Sequence, residues 1–308
     1  MTGRDIGFAE VYFMGSRKSP EIWIPRMPRA IDHLVIPAHD LAAEAELYRR
    51  LGFLVGPRNR HPWGTENHIV QFDGAFLELI GLGEGFGAPA PVPGVFSFAR
   101  FVAEFLEARE GMAMLVLRSG DAEADRRDFA DKGLGEFQRF DFGRRVQRPD
   151  GASVDVAFSL AFASCMALPR TGFFVCQQHF PENFWNREAQ IHPNGASGIS
   201  GVVITHESPG EVVEFLSGFV DAPPTPIPGG FSVASIECIR PDAYSGRFGA
   251  DGRGEEAQGL AAMCIAVADI EATATFIEER GVAFTRHDEM LTVEARAAMG
   301  ALIAFAAS

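Results

Sequence analysis

The chain has 308 residues, 47% hydrophobic and 22% charged, with 27 basic against 41 acidic side chains and a formal net charge of −14. That length suits about two globular domains. An acidic chain without strongly clustered Lys and Arg argues against nucleic acid and anionic membranes as partners, since both need concentrated positive charge.

Residues 1–29 show no clear periodicity. Ile22, Trp23 and Ile24 are expected to pack as an extended arm, and Pro25 and Pro28 break the chain before the first ordered unit. That unit opens with the apolar run Ile31–Ile36. Asp40 is a good N-cap, Leu41, Ala45 and Tyr48 recur at helical spacing, and Gly52 stops the helix. A loop with His61, Pro62, Trp63 and Gly64 leads to His68–Phe72. Asp73-Gly74 then marks a hairpin into Ala75–Ile80.

Gly83–Gly94 reads as a Gly/Pro-rich linker and Phe96–Leu106 as a helix. The pattern then returns. Met112–Leu117 is a strand, Asp121 caps a helix running to Lys132, and Phe137–Phe142, Arg144–Gln147 and Ser153–Phe162 alternate as strands before a closing run, Phe173–Gln177. A third unit starts at Ile199, with Ser208, Pro209 and Glu211 as a capping box. It continues through the proline-rich loop Pro223–Gly230 to Phe231–Ile239. A fourth starts near Leu260, with Asp269 as cap, Ile270–Arg280 as helix and Leu302–Phe305 as closing strand. Hairpins after each single helix argue against a doubly wound parallel sheet and for an α+β architecture of curved mixed sheets. Four divergent units, paired, predict two domains.

The four cysteines, Cys165, Cys176, Cys238 and Cys264, lie in apolar runs without CxxC spacing and read as buried thiols. The first 29 residues lack an apolar signal core. The longest candidate span, Val156–Leu168, is too short to cross a bilayer, so a cytoplasmic location is expected.

Ile31-Asp32-His33-Leu34-Val35-Ile36, Asp40-Leu41, and Phe76-Leu77-Glu78-Leu79-Ile80 resemble the first module of the vicinal oxygen chelate superfamily. With His61-Pro62-Trp63-Gly64-Thr65 and Asn67, the stretch is similar to the glyoxalase-like domain group within it. The resemblance implies four βαβββ modules of the glyoxalase/dihydroxybiphenyl dioxygenase type, paired into two domains of curved mixed sheets. The expected boundaries are residues 1–29 as an N-terminal extension, 30–190 as the domain with the site, and 191–308 as a second domain without ligand residues. It also implies a divalent metal, with Fe, Mn, Ni and Zn not distinguished, acting as a Lewis acid on adjacent oxygens of a small oxygenated molecule. The chemistry would be that of a lyase, an isomerase or an extradiol-type dioxygenase.

Carried over by position, His33 and Glu78 are the expected metal ligands. The positions matching His33 in the other units are Met114, Gly201 and Ala262, none a hard-metal ligand. Placing Val175 opposite Glu78 puts Val175, Gln177 and His179 on one strand face. His179 is then the expected third ligand, completing two histidines and a carboxylate, with His68 and His192 in reserve. Glu78, His68 and His61 are the acid–base candidates. Arg144-Arg145 reads as a solvated face, His206 and His287 as solvent-facing, and Glu237 as a relic of Glu78 or a structural salt bridge. The expected partner is a small-molecule substrate, with a homodimer left open. The alternative is a metal-free protein that binds or sequesters a small molecule on the same fold.

Overall fold

A computed structural model describes residues 27–147, 151, 153–249, 258–287 and 289–307. The arm read at Ile22–Ile24 lies outside the described residues. The first unit is β1 (Ile31–Pro37), α1 (Leu41–Arg50), β2 (Asn59–Arg60), β3 (Thr65–Gln71) and β4 (Phe76–Leu82); α2 (Phe98–Ala108) follows it. The second is β5 (Met114–Arg118), α3 (Ala122–Asp131), β6 (Phe140–Gln147), β7 (Ser153–Ala163) and β8 (Gly172–Gln178), followed by the short α4 (Pro181–Phe184). The third is β9 (Ala196–Thr205), α5 (Val213–Val220), β10 (Thr225–Ile227), β11 (Gly230–Val233) and β12 (Ile236–Ile239), then α6 (Pro241–Phe248). The fourth is β13 (Gly259–Val267), α7 (Ile270–Glu279), β14 (Thr285–His287), β15 (Met290–Val293) and β16 (Leu302–Ala307).

Local chemistry accounts for the helix starts. The Asp40 carboxylate accepts hydrogen bonds from the Ala42 and Ala43 amides at 3.0 and 2.9 Å, and Asp121 and Asp269 cap α3 and α7 in the same way. The capping box expected at Ser208 is not formed. Its side chain makes no cap bond, Pro209–Glu211 is a 3₁₀ turn, and α5 begins only at Val213. The Ser208 amide donates instead to Nδ1 of His206, which is buried rather than solvent-facing.

The strands form two eight-stranded sheets of the same order, β2-β3-β4-β1-β5-β8-β7-β6 and β10-β11-β12-β9-β13-β16-β15-β14. In each, the first strands of two units run antiparallel at the centre and each is flanked by its own closing strand in parallel. The proline-rich loop of the third unit contributes an edge strand, β10, that its composition hides. Proline is tolerated there because an edge strand has an unpaired side.

Alternation divides each sheet into two faces. In the first sheet Leu34, Ile36, Leu77, Leu115 and Phe173 join a core continuous with the second sheet. Val35, Met114, Val116, Phe162 and Phe174 face the other way and are covered by Phe98, Val102, Phe105 and Leu106 of α2. Tyr244 and Phe248 of α6 cover the matching face of the second sheet, against Val203, Ala262 and Leu302. There Arg247 of α6 pairs with Glu237, so Glu237 is a structural ion pair.

Aromatic contacts join the sheets: Phe53 with Phe305 at 6.0 Å and Phe173 with Phe215 at 4.8 Å between ring centroids. His192 buttons the connecting segment to the first unit. Its Nδ1 accepts from the Leu54 amide and its Nε2–H donates to the Gln71 carbonyl. At one point the two halves meet backbone to backbone. Gly111 and Gly300 both have positive φ, and a Cβ on Gly111 would lie 2.3 Å from the Gly300 carbonyl oxygen.

Candidate active site

A cavity of about 70 Å³ opens on the α2 side of the first sheet. β1 delivers His33 to it, β3 delivers Asn67, β4 delivers Glu78, and the β2–β3 loop delivers His61 and Trp63. Register places Glu78 beside Val35 on β1, so that it shares the face used by His33.

The pairing of β1 with β5 slips between Ile31 and His33, which leaves Asp32 as the extra residue of a bulge. Asp32 is fully buried. One oxygen lies 2.6 Å from Nδ1 of His33 and the other accepts from Gln178 Nε2 at 3.1 Å. A carboxylate only accepts, so Nδ1 of His33 carries the proton of that bond and Nε2 is turned toward the cavity. There it stands 4.0 Å from Glu78 Oε2. The imidazole is stacked on Phe76 at 4.2 Å, which fixes its plane.

Glu78 is 7% exposed, and Asn67 Nδ2 donates to its Oε1 at 2.5 Å. On the same side His61 Nε2 lies 3.7 Å from Oε1, while Nδ1 bonds Thr65 Oγ1 at 2.8 Å and the ring stacks on Trp63 at 4.7 Å. Burial lowers the His61 pKa below the ordinary value. The negative charge of Glu78 opposes that shift and the cation of Arg144 reinforces it. Arg144 comes from β6, two residues beyond Phe142 and four beyond Phe140, and all three line the cavity. The solvated-face reading therefore holds for exposed Arg145, which pairs with Asp155, and not for Arg144.

Thus His33, His61 and Glu78 come together at the cavity. His68 and His179 do not. His68 neighbours Asn67 on β3, points to the opposite face and is paired with the Gly56 carbonyl at 2.7 Å. His179 is exposed and bonded to Ser159 Oγ at 2.8 Å. The cause is register. Leu34 pairs with Leu77, Leu115 pairs with Phe173, and α1 and α3 start at matching places, so Phe174 rather than Val175 is the counterpart of Glu78. One residue of slip turns every side chain to the other face. Phe174 and Cys176 face the cavity, while Gln177 accepts from the Ala122 amide at the start of α3. Sequence reading also missed Asp32 and Arg144 as site residues. The signal for Arg144 was present in the period-2 series Phe140, Phe142, Arg144.

The fold family commonly carries a divalent metal, and the residues here do not fit one. Met114 and Phe174 occupy the two positions from which a second module would contribute. Among the described residues no three His, Cys, Asp or Glu side chains are grouped to hold a metal ion. The Glu78 oxygen nearest His61 is taken by the Asn67 amide, and the Arg144 cation already lies within its field.

The family model described as a glyoxalase-like domain matches residues 31–220, more than half of the chain. The chain belongs to the glyoxalase-like domain family. No curated protein matches this member of the family in sequence. Among solved structures it is similar to a hypothetical protein from Staphylococcus aureus, at TM-score 0.62 and 11% identity over 91% of this chain and 99% of that one. A mutant of 4-hydroxymandelate synthase from Streptomyces coelicolor aligns at TM-score 0.56 and 12% identity, over 91% and 93%. A fusion of a xylose isomerase-like TIM barrel with 4-hydroxyphenylpyruvate dioxygenase aligns at TM-score 0.53 and 12% identity, over 94% of this chain and 51% of the other. These likenesses establish the vicinal oxygen chelate fold of paired modules for this glyoxalase-like protein.

Proposed function

We propose that the cavity is the active site of an enzyme that moves a proton on a small oxygenated organic molecule, as a lyase or isomerase does. One observation carries this reading: a buried carboxylate, Glu78, faces the cavity with an imidazole nitrogen on either side and, among the described residues, one hydrogen bond, from Asn67. Burying a carboxylate is costly unless its charge is used or matched. In this reading Glu78 takes a proton from a carbon next to a carbonyl. The electron pair moves onto the oxygen, and the proton returns to a neighbouring carbon or a leaving group departs. His33, held by Asp32, and neutral His61 orient the carboxylate and stabilise its changes of charge. Ring-opening dioxygenase chemistry finds less support, because it needs a metal held by three protein ligands.

The decisive measurement is deuterium uptake. Small carbonyl compounds, charged and neutral, are incubated with the protein in D₂O and followed by NMR. Exchange at the carbon beside the carbonyl is expected with the wild type, and about 10²–10⁴-fold less with Glu78→Gln. Equal exchange in the variant, or none with any compound, overturns the reading. The aromatic walls and the apolar Met114 and Phe174 favour a second reading, sequestration of a small molecule. It predicts binding without exchange.

A further inference from the structure

We infer that the ligand of this cavity is a compact organic carboxylate with an apolar body, its carboxylate held by Arg144. The inference rests on the cavity being the ligand site, and deepens that reading by naming the class of ligand. The walls are mostly rings, among them Trp63, Phe140, Phe142 and Phe158, and against them stand a few polar atoms. Arg144 is half-buried, and burial lowers its pKa, the sign of a cation separated from water. Among the described residues its guanidinium has no hydrogen bond and no ion pair; Glu78 acts on it only at longer range. Arg29 shows how this chain treats a buried arginine that is purely structural: it is bound by Asp125 at 2.7 Å and Asp128 at 3.0 Å. Among the described residues the Arg144 guanidinium has no such partner, and it lines the cavity where a ligand would sit.

Trp63 lends the cavity its ring, which is packed against His61, Phe140 and Phe142. A guanidinium offers paired N–H donors that match the two oxygens of one carboxylate. Between Arg144 and the Glu78 cluster the walls are rings, so the body of the ligand between its two ends is apolar. Size limits it further, because a cavity of 70 Å³ holds roughly five waters. Glu78 sets the direction: a ligand carboxylate is repelled by Glu78 and drawn to Arg144, so the opposite end of the small molecule faces Glu78 and the imidazoles.

The test is calorimetric titration of the full chain with isobutyrate and benzoate, and with their uncharged amides, isobutyramide and benzamide. Wild type, Arg144→Met and Arg144→Lys are compared, with thermal melts confirming that each variant is folded. At least one acid is expected to bind the wild type about tenfold or more tightly than its amide, that preference vanishing in Arg144→Met and surviving in part in Arg144→Lys. Acid and amide binding alike, an unchanged preference in Arg144→Met, or no binding of any probe overturns the inference. An Arg144-dependent preference for acids without deuterium exchange upholds it while removing the enzyme reading. Exchange on neutral carbonyl compounds alone does the reverse.

Discussion

His61 lies between opposite charges, and its titration reports on both. Burial sets its pKa below the ordinary value of 6.5, Glu78 pulls it up and Arg144 pushes it down. An NMR titration should therefore place the His61 midpoint below 6.5, lower still in Glu78→Gln and higher in Arg144→Met. A midpoint indifferent to both substitutions would show that the charges do not share one cavity. Since unfolded His61 binds its proton more readily than folded His61, this residue favours folding above pH 6.5, and that contribution falls away as the pH drops toward its folded midpoint. Glu44 behaves oppositely. It is fully buried on α1, neither carboxyl oxygen has a partner among the described residues, and burial followed by the charge of Glu110 raises its pKa well above 4.5. The folded state holds a proton that the unfolded state releases, so stability is greatest below pH 4.5 and declines as pH rises. Glu44→Met should raise the stability by roughly 1–3 kcal/mol at pH 8 and by less at pH 5, as measured by denaturant unfolding.

At the scale of elements, the aspartate caps and the Ser208 cap make a controlled comparison. Asp40→Ala removes two hydrogen bonds to the first turn of α1 and should cost about 1 kcal/mol, whereas Ser208→Ala removes no cap bond and should cost close to nothing. Equal losses in chemical denaturation would contradict the geometry described for Ser208. These helices were legible because aspartate before an apolar stripe and glycine or lysine after it act within a few residues. The strands beside His33 and Glu78 were legible for the same reason. What escaped depends on contacts far apart in sequence. The bulge at Asp32 is defined only by the pairing of β1 with β5, and the facing of β8 only by its pairing with β5. Residues around His179 alternate either way, so apolar character alone did not fix which of them looked into the cavity. Arg144 was obscured by its neighbour Arg145, although two phenylalanines at the same parity marked its face.

Across the whole molecule, the sheets share one core, and this explains where the family match ends. Residues 31–220 pass beyond the first sheet and include β9 and α5. Phe215 and Phe219 of α5 pack on Phe173, and Phe219 also meets Phe129, so the first sheet is finished by a helix from the next unit. Arg29 adds to the same seam, its guanidinium donating to the Phe219 carbonyl. Scanning calorimetry should accordingly show a single transition. Phe305→Ala, in the second sheet but stacked on Phe53 of the first, should lower the stability by about 3–5 kcal/mol without splitting that transition. Two resolved transitions would show that the sheets unfold independently.

The contact of Gly111 with Gly300 has a consequence for anyone reading tolerance maps of this protein. Each residue stands where the opposing main chain leaves no room for a methyl group, and each adopts a conformation that side chains of natural hand resist. In a saturation library scored by cell survival, both positions should reject every replacement as severely as Glu78 does. Depletion at Glu78 would mark chemistry, whereas depletion at the two glycines would mark only a joint between halves. A screen that also records abundance would separate the two, since the glycine variants should disappear from the soluble fraction while Glu78→Gln persists there without activity.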